Sequence, residues 1–146
     1  MKPISFIYSG PVAAPIEKVF ELLTDPHRFT EWLPYCAQVE PAQRPNGRGA
    51  RHLLVYETLK RRVTIEIEIA DFTPPTGYGW VELAQRAGSK TFFLLQFAGG
   101  VTKVTMKQSW TPRTWRAWVL GQIFRRRNAQ RMFNAILQNF RKLLTK

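Results

Sequence analysis

A single cysteine, Cys36, occurs in 146 residues. One thiol can make no disulfide within the chain and no cysteine-built metal site. Nothing beside it in sequence is set to lower its pKa, so it reads as a small core hydrophobe. Histidine is nearly as scarce. His27 and His52 are the only two, and neither has a carboxylate at a metal-binding spacing such as HExxH. No metal and no cofactor are expected. No apolar run approaches the roughly 18–20 residues that span a bilayer. The opening MKPISFIYSGPVAAP imitates a leader only faintly, because Pro3, Ser5, Ser9, Gly10 and Pro11 interrupt it. It reads as a first strand, and a cytoplasmic location, at most peripheral to a membrane, is the expectation. No nucleophile elbow and no phosphate-cradling glycine loop is present; Gly99-Gly100 reads as a hairpin turn.

Acidic residues are missing from the whole C-terminal part. All ten lie at or before Glu82, against nine basic residues there, whereas 13 basic residues and no acid follow. The net charge is +12. Such asymmetry implies an anionic partner: nucleic acid, lipid head groups or an acidic ligand. An idle basic surface is the alternative. The length implies one domain, residues 1–146, with a sizeable core.

The hydrophobic pattern gives an element order. Ile4 to Val12 is rich in β-branched and aromatic residues and reads as a strand. APIEKVFELLTD follows as a helix with an apolar face at Val19, Phe20, Leu22 and Leu23. Asp25 is placed to cap a second, short helix that Pro26 opens and Pro34 ends. Six strands then follow with short turns, which implies an antiparallel meander. One strand alternates cleanly: Val63, Ile65, Ile67 and Ile69 share one face, and Thr64, Glu66 and Glu68 the other. Glu66 and Glu68 are therefore solvated rather than a catalytic pair. On the last strand Val104, Met106, Gln108 and Trp110 share a face. Everything after Thr111 reads as one helix, with Pro112 in its first turn and Gly121 as the natural bend.

Several pieces recur together in one known superfamily. They are Ala14-Pro15 before a VF helix, Asp25-Pro26, Glu31-Trp32-Leu33-Pro34, Asp71-Phe72-Thr73-Pro74-Pro75, Gly100 to Thr105, and the closing LQNFRKLL. In this order, over almost the whole chain, the sequence resembles the START-like (SRPBCC) helix-grip superfamily, closest to its polyketide cyclase/dehydrase and lipid-transport branch. The resemblance implies an α+β fold: a curved antiparallel sheet of six to seven strands around a long C-terminal helix, with two short helices after the first strand. It also implies a cavity between sheet and helix for a lipid, quinone or polyketide-like molecule. Tyr35 stands where such proteins often have a small residue, and no one enzyme's full catalytic pattern is matched. Both departures argue against cyclase chemistry.

Helical phase sharpens the site. With Trp115 at zero and about 100° per residue, Val119, Phe133, Leu137, Phe140 and Leu144 fall within about 40°, and Trp118 and Ile136 about 60° away. Gln122 and Arg126 fall on the same stripe, so Arg126 is expected to point at the sheet, where it needs a ligand, a carboxylate such as Glu57 or Glu82, or water. A bend at Gly121 would instead let it reach solvent. The expected cavity lining is Tyr56, Trp80, Phe93, Leu95, Met106, Trp110, Trp115, Trp118, Gln122 and Arg126. Opposite lie Leu120 and Phe124 among basic residues. Arg113, Arg116, Arg125, Arg127 and Arg131 are the expected contacts to an anionic surface, with anionic membrane the natural partner. Binding or transport of a hydrophobic small molecule is the leading expectation. The alternatives are a polyketide cyclase/dehydrase-like enzyme and a basic protein-, RNA- or ribosome-binding module.

Overall fold

The computed structural model describes residues 4–41, 47–83, 89–111, 114–120 and 126–144, apart from the side chains of Pro41, Ala117, Trp118 and Leu120. Among the described residues there are seven strands and four α-helical segments. The strands are β1 (Ile4–Val12), β2 (Cys36–Pro41), β3 (Arg51–Glu57), β4 (Arg62–Thr73), β5 (Gly77–Glu82), β6 (Lys90–Ala98) and β7 (Val101–Trp110). The helices are α1 (Ile16–Thr24), α2 (Phe29–Trp32), α3 (Trp115–Leu120) and α4 (Arg126–Leu144), with a 3₁₀ turn at Pro26–Arg28.

The strands form one antiparallel sheet in the order β1-β7-β6-β5-β4-β3-β2. It is the expected meander with β1 added beside β7. Local chemistry sets the joints. Asp25 accepts the His27 N–H at 3.0 Å, and Pro26 opens the turn whose own amide is not needed there. Gly99 and Gly100, at φ +63° and +81°, make the tight turn that the twist of two antiparallel strands demands. Between β3 and β4 the Thr58 amide donates to the Arg61 carbonyl at 2.9 Å.

Helix α4 lies on the concave face. It buries Ala129, Phe133, Ile136, Leu137 and Phe140, the spacing of a single helical stripe. Complete burial of each large side chain contributes about 1.5–3 kcal/mol. The α4 stripe approaches β1 closely at Gly10, where an added Cβ would collide with the Leu137 side chain. The last turn of α4 is tied to β1 by Arg141, whose Nε and a terminal nitrogen donate to the Pro11 carbonyl at 3.1 and 2.9 Å. Asn139 donates to the Trp32 carbonyl at 3.0 Å and fastens α2 to α4.

Trp32 and Phe29 then enter the concave face from the side. Trp32 packs on Phe140 with ring centroids 5.2 Å apart and on Phe93 at 5.9 Å, while Phe29 meets Trp80 at 6.0 Å. This aromatic cluster fills the middle of the space between sheet and helix. The alternation read on β4 holds: Ile67 and Ile69 are buried, while Glu66 and Glu68 face out and pair with Arg51 at 3.8 and 3.2 Å.

The helix foreseen from Thr111 is described over two stretches, α3 and the 19-residue α4. Pro112, Arg113 and the stretch 121–125, with Gly121, Gln122, Phe124 and Arg125, lie outside the described residues.

Candidate functional site: a cleft at one end of the sheet

Antiparallel connectivity brings alternate strand ends together. The end of β3, the start of β4, the end of β5, the start of β6, the end of β7 and the start of β1 all meet at one end of the sheet. The N-terminal half of α4 covers that end. Between them lies a cleft of about 710 Å³, within the range of small-molecule sites.

Its floor is a cross-strand row. Phe6, Gln108, Thr91 and Trp80 stand directly opposite one another on β1, β7, β6 and β5. Nearer the mouth come Ile4, Trp110, Ser89 and Glu82, with Tyr56 and Ile65 from β3 and β4. Helix α4 supplies Asn128, Ala129, Arg131, Met132 and Ala135 to the opposite wall. Pro34 and Tyr35 close one side. The wall is mostly apolar, and its polar groups fall in a band. Gln108 Nε2 donates to Thr91 Oγ1 at 3.4 Å and lies 3.9 Å from Met132 Sδ. Arg131 from α4 and Glu82 from β5 also line the cleft.

Of the residues expected to line a cavity, Tyr56, Trp80 and Trp110 line this cleft. Phe93, Leu95 and Met106 face the same way but are buried in the packed core below it. Trp115 is 70% exposed. Arg126 is exposed; its guanidinium carbon lies 5.8 Å from the centre of the Phe6 ring, and its carbonyl accepts the Tyr8 hydroxyl at 2.9 Å. Arg126 thus sits above Phe6 of β1 at the first turn of α4, exposed to solvent. Gln122 and the Trp118 side chain lie outside the described residues. Among the surface arginines, Arg116, Arg127 and Arg131 are exposed, Arg131 also lining the cleft, and Arg113 and Arg125 lie outside the described residues.

Burial is the main electrostatic influence. It raises the Tyr56 phenol well above the ordinary range, with the nearby Cys36 and Glu82 adding to the shift, so Tyr56 stays a neutral hydroxyl. Burial also raises the Cys36 thiol, which leaves it a poor nucleophile despite a contact to the Gln38 carbonyl that acts the other way. His52 is buried on β3, and desolvation, with a smaller push from His27, lowers its pKa. No cluster of His, Cys, Asp or Glu among the described residues has the geometry to hold a metal ion.

Thr91 and Gln108 were not foreseen as site residues, and Glu82 was foreseen only as a carboxylate partner for Arg126. Gln108 carried a usable signal, a polar side chain on the apolar face of an alternating strand. Thr91 gave no such signal, because its face follows from sheet register alone.

The family model for "Polyketide cyclase / dehydrase and lipid transport" matches residues 4–145. The chain belongs to this family, and its sheet and terminal helix are those of the helix-grip fold. No curated protein matches it in sequence. Among solved structures it is similar to a protein of Chromobacterium violaceum, at 13% identity over 98% of this chain and 99% of that one, with TM-score 0.77. The Zhui aromatase/cyclase of a Streptomyces species has 16% identity, coverage of 95% and 94%, and TM-score 0.73. A protein of Thermus thermophilus has 14% identity, coverage of 95% of each chain, and TM-score 0.77.

Proposed function

We propose that this protein binds a hydrophobic small molecule with a polar head, of the lipid, quinone or polyketide type, in the cleft between α4 and the sheet. The observation that carries the reading is the composition of that cleft. Ile4, Phe6, Ile65, Trp80, Trp110 and Met132 offer apolar area for the body of a ligand, and the Thr91–Gln108–Arg131 band offers hydrogen bonds and charge for its head. Membership of a family described as including lipid transport supports it. Native mass spectrometry of gently purified protein is expected to find a co-purifying adduct or binding from a lipid and quinone panel. Ala135→Trp, which fills the cleft from α4, is expected to abolish it. A folded wild-type chain with no adduct and no affinity for any member of the panel overturns the proposal.

A catalytic second reading is favoured by one observation, the Tyr56 hydroxyl on a cleft wall that Glu82 also lines. A buried phenol held protonated can donate to a ligand carbonyl and assist an aldol cyclisation or dehydration. It is tested by turnover of a poly-β-ketone thioester. Activity lost in Tyr56→Phe with ligand binding retained supports it; a wild-type chain without turnover removes it.

A further inference from the structure

The strand ends that form the cleft also gather most of the exposed apolar side chains. Five of the eight large ones among the described residues belong to this end: Leu59 at 105% exposure, Tyr35 and Trp115 at 70%, and Val63 and Leu83 at 39%. Leu59 is the tip of the β3–β4 turn, one residue beyond Thr58 of the cleft wall. Tyr35 is on the wall itself, held there by its carbonyl, which accepts the Glu57 amide at 2.9 Å. Val63 stands opposite Tyr56, and Leu83 follows Glu82. Trp115 begins the short helix between the end of β7 and the start of α4, both of which are at the cleft.

Cations surround this rim. Lys60 and Arg61 share the turn with Leu59, and Arg126, Arg127 and Arg131 rise from the first turns of α4; all are exposed. The described acids of this end are committed elsewhere. Glu57 pairs with Arg62 at 2.9 Å, and Glu82 faces the cleft.

From this we infer that the mouth of the cleft is a docking face for an anionic lipid bilayer, with Leu59 entering the acyl boundary and the cations resting on lipid phosphates. Charge complementarity selects the partner. A second copy of the chain would bring like charge against like charge. Single-stranded RNA would match the charge and could stack on Tyr35 and Trp115, but Leu59, the most exposed side chain of the face, is aliphatic, as are Val63 and Leu83, and these suit hydrocarbon rather than bases. The inference does not depend on what occupies the cleft, since it concerns only the rim.

The test sediments the full chain with phosphatidylcholine vesicles, with and without about a third phosphatidylglycerol. Binding is expected to the anionic vesicles only and to weaken with salt. Leu59→Glu is expected to weaken it at least roughly tenfold, and Lys60→Glu with Arg61→Glu by a similar factor. Leu59 packs against nothing, so the fold survives its replacement. A control on the outer sheet face, Lys103→Glu with Lys107→Glu, changes the net charge equally and is expected to weaken binding far less. Three results overturn the inference: no binding to anionic vesicles at low salt, equal loss in the control pair, or a soluble dimer or RNA complex that Leu59→Glu disrupts while vesicle binding persists. Ligand capture read separately by native mass spectrometry keeps a failure here distinct from a failure of the cleft proposal.

Discussion

Tyr35 is the only non-glycine residue with positive φ among those described, at +65°. A side chain in that region costs about 1–2 kcal/mol that glycine avoids. Tyr35→Gly is therefore expected to unfold in urea at a higher midpoint than Tyr35→Ala, by about 1 kcal/mol. Equal midpoints would show that the loop relaxes freely. His52 predicts a pH dependence. Its folded pKa lies below the ordinary value near 6.5, so the unfolded chain binds the proton first. The stabilisation is complete above about 6.5, falls as the pH drops below it, and levels off below the folded value. Urea titrations between about pH 7.5 and 4.5 should show this slope reduced in His52→Gln. Residue roles were legible in the sequence only in part. The helical wheel puts Arg126 in line with Phe133 and Phe140, but a wheel says nothing of axial position. At the first turn of α4 the same azimuth faces the rim above Phe6 rather than the interior.

The seven strands, the capped 3₁₀ turn after Asp25 and the Gly99-Gly100 hairpin were readable because each rests on local chemistry. Alternation also gave the inner face of β4 and β7. It could not say whether that face meets a cavity or a filled core. Phe93, Leu95 and Met106 have the right orientation, yet α2 inserts Trp32 and Phe29 beside them. That contact joins residues some sixty apart in sequence and leaves no local trace. The packing of α4 on β1 can be tested directly. Gly10→Val places two methyl groups into the Leu137 side chain, and overpacking of this kind is expected to cost about 1–3 kcal/mol by chemical denaturation. Phe140→Ala, at a fully buried position against Trp32, is expected to cost about 3–5 kcal/mol. A loss under about 1 kcal/mol there would mean that the core closes over the gap.

At the scale of the whole molecule the two halves of the concave space have different tasks. One is packed solid with rings, and the other is open. A ligand that occupies the cleft stabilises the fold by mass action, about 2.7 kcal/mol when its concentration is a hundred times its Kd. For a chain of this size that raises Tm by roughly 5–10 °C. Ala135→Trp should remove the shift without lowering the baseline Tm by as much. The aromatic cluster around Trp32 has one more consequence, which concerns measure rather than strength. Trp80 belongs both to that cluster and to the cleft floor, so the cleft has a finite depth and a volume equivalent to about two dozen water molecules. If the proposed ligand binds there, a guest of that size would disappear inside. A longer one would be stopped by Trp80 and the packed core behind it. Its surplus length would emerge past Tyr35 and Leu59, and the cleft would then act as a gauge that reads chain length at the door.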